Sequence, residues 1–285
     1  MSAPENKPQQ SAPSRRSWAD LGPRLASAVV LIAVAVLALY AGGIVFACII
    51  GAVFAGCYRE WETMVARRTL SVPGWIIVAL VAISGCVFPW FGWPGTGTAI
   101  AAAVVVAIAF GGEGIVWRVV GLLFFGLVIG AVLSMRGTGV EGIYAGLILA
   151  AVIWMTDSSA FFAGRQIGGE KLAPQISPSK TWSGAVGGLA LGTISGITAW
   201  IFLTDSPVWI GALLAMSVSI VGQLGDLVES AIKRHFRVKD SGDIIPGHGG
   251  LMDRLDSLTF GVLFLFLVGL AHGGWSNVAA GFLDW

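Results

Sequence analysis

Apolar runs alternate with short polar or glycine-rich breaks along most of the chain. Nine are recognisable, over residues 25–40, 44–58, 72–88, 95–110, 115–134, 139–162, 183–203, 207–224 and 255–272. An upright membrane helix needs about 20 apolar residues, and most of these runs approach that length. The first two are shorter, and Gly42-Gly43 between them predicts a tight hairpin rather than one bent helix. Trp90, Trp93 and Pro94 predict a loop between the third and fourth runs, placed as an interfacial aromatic belt would be. The pattern predicts an all-α, polytopic transmembrane helical bundle of about nine spans. Residues 1–23, rich in Pro, Ser, Gln and charge, read as a disordered tail. Residues 24–134 read as N-terminal transmembrane helices, 135–272 as a second helical region with polar loops at 164–181 and 226–254, and 273–285 as a short tail.

Composition strengthens this reading. The chain of 285 residues is 56% hydrophobic and only 12% charged, and its mean hydropathy is +0.83. A soluble domain carries about 25% charge, so this chain has too little to cover a water-facing surface. Its 40 glycines suit close packing between membrane helices. Cys48, Cys57 and Cys86 lie in apolar stretches and read as small buried hydrophobes, with neither disulfide nor zinc spacing. A net charge of +1 says little by itself, and no nucleic-acid partner is expected.

Charge distribution says more. With nine spans and the N-terminus in the cytoplasm, sixteen of the 17 lysines and arginines fall on the inner side and only Arg136 on the outer. That asymmetry is the one expected of correctly oriented membrane proteins, and it places loops 164–181 and 226–254 in the cytoplasm. A cleaved signal peptide is not expected, because the first apolar run starts late and a second follows at once. No internal repeat is visible, and the polar features concentrate in the second half, unlike the paired interrupted helices of an inverted-repeat transporter.

Acids and bases crowd between Leu224 and Phe260. Asp226 and Glu229 are three residues apart and share a helix face, with Lys233 one turn beyond on roughly the same side. Asp253 and Asp256 form a second such pair at the start of the last span, with Arg254 directed elsewhere. Carboxylates from neighbouring helices at a membrane boundary match the hard oxygen ligands of Mg²⁺, although charge at helix ends also serves solubility. The bend SGDIIPGHGG, which includes His248, Gly249 and Gly250, can bring backbone N–H groups towards a phosphate. Asp157, near the end of an apolar run, is costly unless paired, hydrated or metal-bound. Ser177-Pro178-Ser179-Lys180-Thr181 supplies hydroxyls and a cation at the mouth of a helix, where the hydroxyls also suit capping. Lys180, Arg165 and Lys171 are placed to neutralise phosphates there. His235 reads as a solvated helix-face residue and His272 as one at the outer boundary.

Residues 230–256, SAIKRHFRVKDSGDIIPGHGGLMDRLD, resemble the signature of the phosphatidate cytidylyltransferases, or CDP-diacylglycerol synthases. Ser230, Lys233, Arg234, Lys239, Asp240, Gly242, Pro246, His248, Gly249, Gly250, Asp253, Arg254 and Asp256 match with the spacing kept. DSSAFFAG from Asp157 and ISPSKTWSG from Ile176 also look like that family, whereas the first half matches only as apolar spans. Three positions depart from its pattern: Ser183 stands where an acid is usual, Phe161 where tyrosine is frequent, and Asp243 where a small hydroxyl residue is common.

The resemblance implies that CTP and phosphatidic acid give CDP-diacylglycerol and pyrophosphate, on the cytoplasmic face of the cell inner membrane. It implies Mg²⁺ held by Asp226, Asp253 and Asp256, with Glu229 as a further ligand or orienting group. Lys233, Lys239 and Lys180 would neutralise phosphates, His248 would position a phosphate or a water, and Ser177, Ser179, Thr181, Gly249 and Gly250 would border the nucleotide. Membrane lipid is the medium, and the family favours a homodimer. The rival readings are a CTP-dependent polyprenol or other lipid kinase, and a transporter of a phosphorylated solute.

Overall fold

The computed structural model describes residues 32–112, 114–242, 244 and 249–285. The chain divides into units 1–36 and Leu37–Trp285. Of the first, only the opening turns of helix α1 (Ile32–Ala41) are described, and the following concerns the second. After α1 come α2 (Gly43–Ala66), α3 (Val72–Cys86), α4 (Phe88–Ala109), α5 (Ile115–Arg136) and α6 (Val140–Gln166). A short ribbon of β1 (Lys171–Ala173) and β2 (Ser177–Thr181) leads into α7 (Trp182–Leu203), α8 (Val208–His235), α9 (Met252–Gly273) and α10 (Val278–Leu283). The ribbon is antiparallel, with Lys171 opposite Thr181 and Ala173 opposite Ser177. Among the described residues, seven helices, α2 and α4 to α9, are long and apolar enough to cross a membrane, and α1 and α3 are shorter apolar helices. The expected all-α polytopic bundle is present, and the seven long helices with the two shorter ones are consistent with about nine spans.

The helices outrun the apolar stretches that predict them. α2 continues through the polar residues after Tyr58 to Ala66, α6 to Gln166, and α8 to His235. Straight-chain charged residues are good helix formers, and extending an existing helix costs no new nucleus. α2 stops where Arg67 turns left-handed at φ 50°. The polar loops are accordingly smaller than the sequence suggests: within 226–254, α8 runs to His235 and α9 begins at Met252.

Two expectations need correction. Residues 90–94 are not a loop: a helical turn runs from Phe88, breaks at Gly92 (φ 55°), and restarts with Pro94 in its first turn, where a missing N–H costs nothing. Trp90 is exposed, but Trp93 turns inward. Its indole N–H donates to Ser134 Oγ at 3.0 Å, and its ring packs on Phe266. Nor is 273–285 merely a tail. Its helix α10 buries Val278, Phe282 and Leu283, and Phe282 packs edge-on against Trp200.

Small residues set the closest helix contacts. Gly184, Gly188, Gly192 and Gly196 line one face of α7, and a methyl group on Gly184 or Gly188 would stand 2.8 Å from a carbonyl oxygen of α6. This crossing of α6 and α7 ties the helix that carries Asp157 to the ribbon that carries Lys180.

The bundle has unlike ends. At one, the Glu62–Arg118 pair is almost wholly buried, and Tyr58 Oη donates to the same carboxylate at 3.2 Å. At the other, Arg136 donates to the carbonyls of Leu39 at 2.5 Å, and of Gly137 and Gly139 at 3.2 Å, satisfying acceptors that helix ends leave open. Arg136 is the one described lysine or arginine at that end. A buried charge left without its partner costs roughly 3–5 kcal/mol. Glu62→Ala should therefore lower the thermal midpoint in detergent sharply, and Glu62→Leu combined with Arg118→Met should lower it less than either change alone.

Candidate functional site

Four segments meet at the charged end: the last turns of α6, the β2–α7 junction, the last third of α8, and the first turns of α9. They enclose a cavity of about 620 Å³, lined by Asp157, Asp226, Asp253 and Asp256 and by the cations Arg165, Lys171, Lys180 and Arg254. Ser179, Thr181 and Gly184 border it at the start of α7. That helix start is held firmly. Thr181 Oγ1 caps it by accepting from Gly184 N at 3.1 Å, and Ser183 Oγ donates to the carbonyl of Gly168. Ser183, one of the three departures from the family pattern, thus ties the start of α7 to the turn after α6.

The acidic pairs do different work. Asp226 receives the Lys180 ammonium on Oδ2 at 2.6 Å and the Ser230 hydroxyl on Oδ1 at 3.3 Å. Glu229, although three residues away, faces a separate apolar cavity of about 220 Å³, lined also by Trp61, Phe124, Phe125 and Phe260. Lys233 is buried and shared between Glu229 Oε1, at 3.0 Å, and Asp253 Oδ1. The other oxygen of Asp253 accepts from Ser241 N and Gly250 N, both at 3.0 Å. Burial alone would raise the Asp253 pKa. The Lys233 hydrogen bond and the Ser241 amide outweigh it and hold the carboxyl below its ordinary value. Asp256 lines both cavities and accepts from Ser257 N at 2.7 Å.

Of the sequence-predicted residues, Asp226, Asp253, Asp256, Ser179, Lys180 and Thr181 meet around the polar cavity. Arg254, expected to point elsewhere, lines it as well. Ser177 and Lys239 are not among its lining residues, and Lys239 is exposed. Gly249 and Gly250 lie just before α9, the latter buried beside Asp253. His248, Pro246 and Asp243 fall outside the described residues. His235 is exposed, its ring tilted against that of Trp117, and His272 stacks on Trp285 at the far end.

Among the described residues, no three His, Cys, Asp or Glu side chains converge on a ready-made metal cage. The donor set nevertheless fits Mg²⁺, which usually takes one or two carboxylates and completes its shell with phosphate oxygens and water. Asp226 and Asp256 can provide those carboxylates. Asp253 and Glu229, expected as ligands, have oxygens committed to Lys233 and, for Asp253, to two backbone amides.

One residue escaped the sequence reading. Glu60 of α2 is 2% exposed, and its carboxylate accepts from Leu251 N and Met252 N at 2.9 Å and from Ser241 Oγ at 3.0 Å. Its neighbours in sequence mark it only as part of a polar helix end. The sole available sign lies far away: the start of α9 has no capping side chain of its own and must find an acceptor elsewhere.

Residues 23–271 match the model of a family described as the cytidylyltransferase family. The chain is 34% identical over 258 residues to a phosphatidate cytidylyltransferase of Brucella abortus, covering 88% of this chain and 93% of that one. It is 42% identical over 150 residues to a phosphatidate cytidylyltransferase of Bacillus subtilis, covering 51% of this chain and 55% of that one. Over 121 residues it is 48% identical to one of Staphylococcus saprophyticus, covering 42% and 46%.

Because Asp253 titrates below its ordinary value, its anchoring of the 241–250 segment is complete above about pH 3.9 and is lost as pH falls through its lower folded value. Proteolytic cutting within 236–251 should rise over that acid range. Asp253→Asn should cut readily at neutral pH and show no further rise from this group.

Proposed function

The chain belongs to the cytidylyltransferase family, and on that premise we propose that it joins CTP to phosphatidic acid, giving CDP-diacylglycerol and pyrophosphate. The observation that carries the reading is the mixed-charge cavity where the apolar bundle ends. One substrate is a soluble polyanion and the other a lipid whose phosphate sits at the interface, so the two can meet only at such a boundary.

Phosphates bring repulsion that the protein must offset. Lys180, Arg165, Lys171 and Arg254 supply cations around one cavity, and the start of α7 adds a helix N-terminus, which favours anions. A phosphatidate oxygen attacks the α-phosphorus of CTP in line, the bond to the β-phosphate oxygen breaks, and pyrophosphate leaves with that electron pair. The attacking oxygen is already anionic, so neither a protein nucleophile nor a general base is required. Asp226 and Asp256 would hold Mg²⁺, which would supply charge neutralisation between the two anions and at the leaving pyrophosphate. Lys180 sits against Asp226, so this lysine and that carboxylate are placed side by side for phosphate and metal. Lys233 and Asp253 hold the first turn of α9 in position.

The charged end belongs on the cytoplasmic side of the inner membrane in this reading. Every described lysine and arginine except Arg136 is at that end, the asymmetry that the positive-inside rule associates with the cytoplasm.

Purified protein in detergent, given phosphatidic acid, radiolabelled CTP and Mg²⁺, should place label in CDP-diacylglycerol with one pyrophosphate per product, and chelation should stop turnover. Release of CDP with phosphorylated lipid would instead make the enzyme a kinase. Removing one preorganised electrostatic contact costs about 10²- to 10³-fold in kcat. Lys180→Ala and Asp226→Asn should each lose activity on that scale, and full activity in Asp226→Asn would overturn its assigned role.

A further inference from the structure

We infer that Glu60, on α2 in the N-terminal half, is a positioning residue for the site built by α8 and α9. The inference rests on the activity proposed above for its kinetic part and on geometry for the rest.

The first turn of α9 carries Asp253, Arg254 and Asp256 into the polar cavity. A helix start leaves N–H groups without partners, and a Ser, Thr, Asp or Asn side chain at the first residue ordinarily takes one of them. Here the residue before α9 is Leu251, which offers no side-chain acceptor. The acceptor comes from another helix, 191 residues away in sequence: Glu60 Oε1 takes Leu251 N and Oε2 takes Met252 N. The carboxylate's negative charge also lies against the positive end of the α9 dipole.

Ser241 couples this contact to the site. Its hydroxyl donates to Glu60 Oε2 and its amide to Asp253 Oδ2. Gly250, at the other end of the signature bend, donates to the same Asp253 oxygen. Glu60 and Asp253 therefore clamp both ends of the 241–250 segment, and Asp253 passes the constraint to Lys233. The space is fully used. A methyl group on Gly242 would stand 2.6 Å from Glu60 Cγ, and one on Gly250 would stand 2.7 Å from Glu60 Oε2. Gly242 is thus confined by Glu60 itself, and Gly250 first by Ser241 Oγ and then by the Glu60 carboxylate. Glu60 itself is not among the residues lining the cavity, so its effect on chemistry is exerted through Asp253, Lys233 and the start of α9.

The test compares wild type with Glu60→Gln, Glu60→Asp and Glu62→Gln as full-length proteins in detergent. It measures kcat, KM for CTP, thermal midpoint and amide exchange. Glu60→Gln keeps the size but replaces one acceptor oxygen by a donor facing other donors. Loss of a residue that orients ligating groups costs about 10- to 100-fold in activity. Glu60→Gln should lose that much, mainly in kcat, with protection lost at residues 250–253 and retained in α6 and α7. Glu60→Asp keeps the charge but is one methylene shorter, and should fall between. Glu62→Gln, which disturbs the neighbouring buried pair but not the clamp, should lower the thermal midpoint with kcat kept. Glu60→Gln with wild-type kcat and wild-type protection at 250–253 would overturn the inference. So would a uniform loss of protection across the bundle in both Glu60 variants, because that is structural damage only. If wild type makes no CDP-diacylglycerol, the proposed activity fails, and the exchange pattern alone decides whether Glu60 holds the clamp.

Discussion

An ammonium group buried at the mouth of an apolar bundle has to be neutralised on all sides, and Lys233 shows how this is done. Glu229, from its own helix, and Asp253, from the next, both bond to it. The net cost of burying such groups falls only when geometry is good and the remaining lone pairs are used. Asp253 meets the second condition by accepting two backbone amides with its other oxygen. α8, α9 and the segment between them are thereby fixed by one network. Members of that network cannot also act freely on a substrate, and the cavity acids that lie outside it are Asp157, Asp226 and Asp256.

This division changes how a dense signature is understood. Asp226 and Glu229 look alike in sequence, three residues apart on one helix, yet one borders a polar cavity and the other an apolar one. A spacing of three residues turns a helix through most of a circle, and the small remaining angle is enough to put the two side chains on opposite sides of a wall one residue thick. Asp256 is that wall, bordering both spaces.

Helices α1 to α9 were readable from apolar runs because membrane spans announce themselves by composition. The constellation Asp226, Lys233, Asp253 and Asp256 was readable because charges are scarce in this chain. What was not readable depended on packing between distant segments. The inward turn of Trp93 needs Phe266 and Ser134, and the burial of Phe282 needs Trp200. Neither partner is marked by local pattern. The continuation of α2 past its apolar run concealed Glu60 in the same way, since a carboxylate one turn from a membrane boundary ordinarily faces water.

Glu60 has a consequence for biosynthesis as well. Its amide partners are 191 and 192 residues further along the chain. At roughly 5–20 residues per second, a ribosome needs on the order of 10–40 s to reach them. During that interval α2 is already made while its carboxylate has no partner from α9, so hydration at the membrane surface must satisfy it until the last long helix arrives. The clamp around Glu60 is therefore completed late, and a nascent chain halted before α9 holds an acid that its own sequence has not yet provided for.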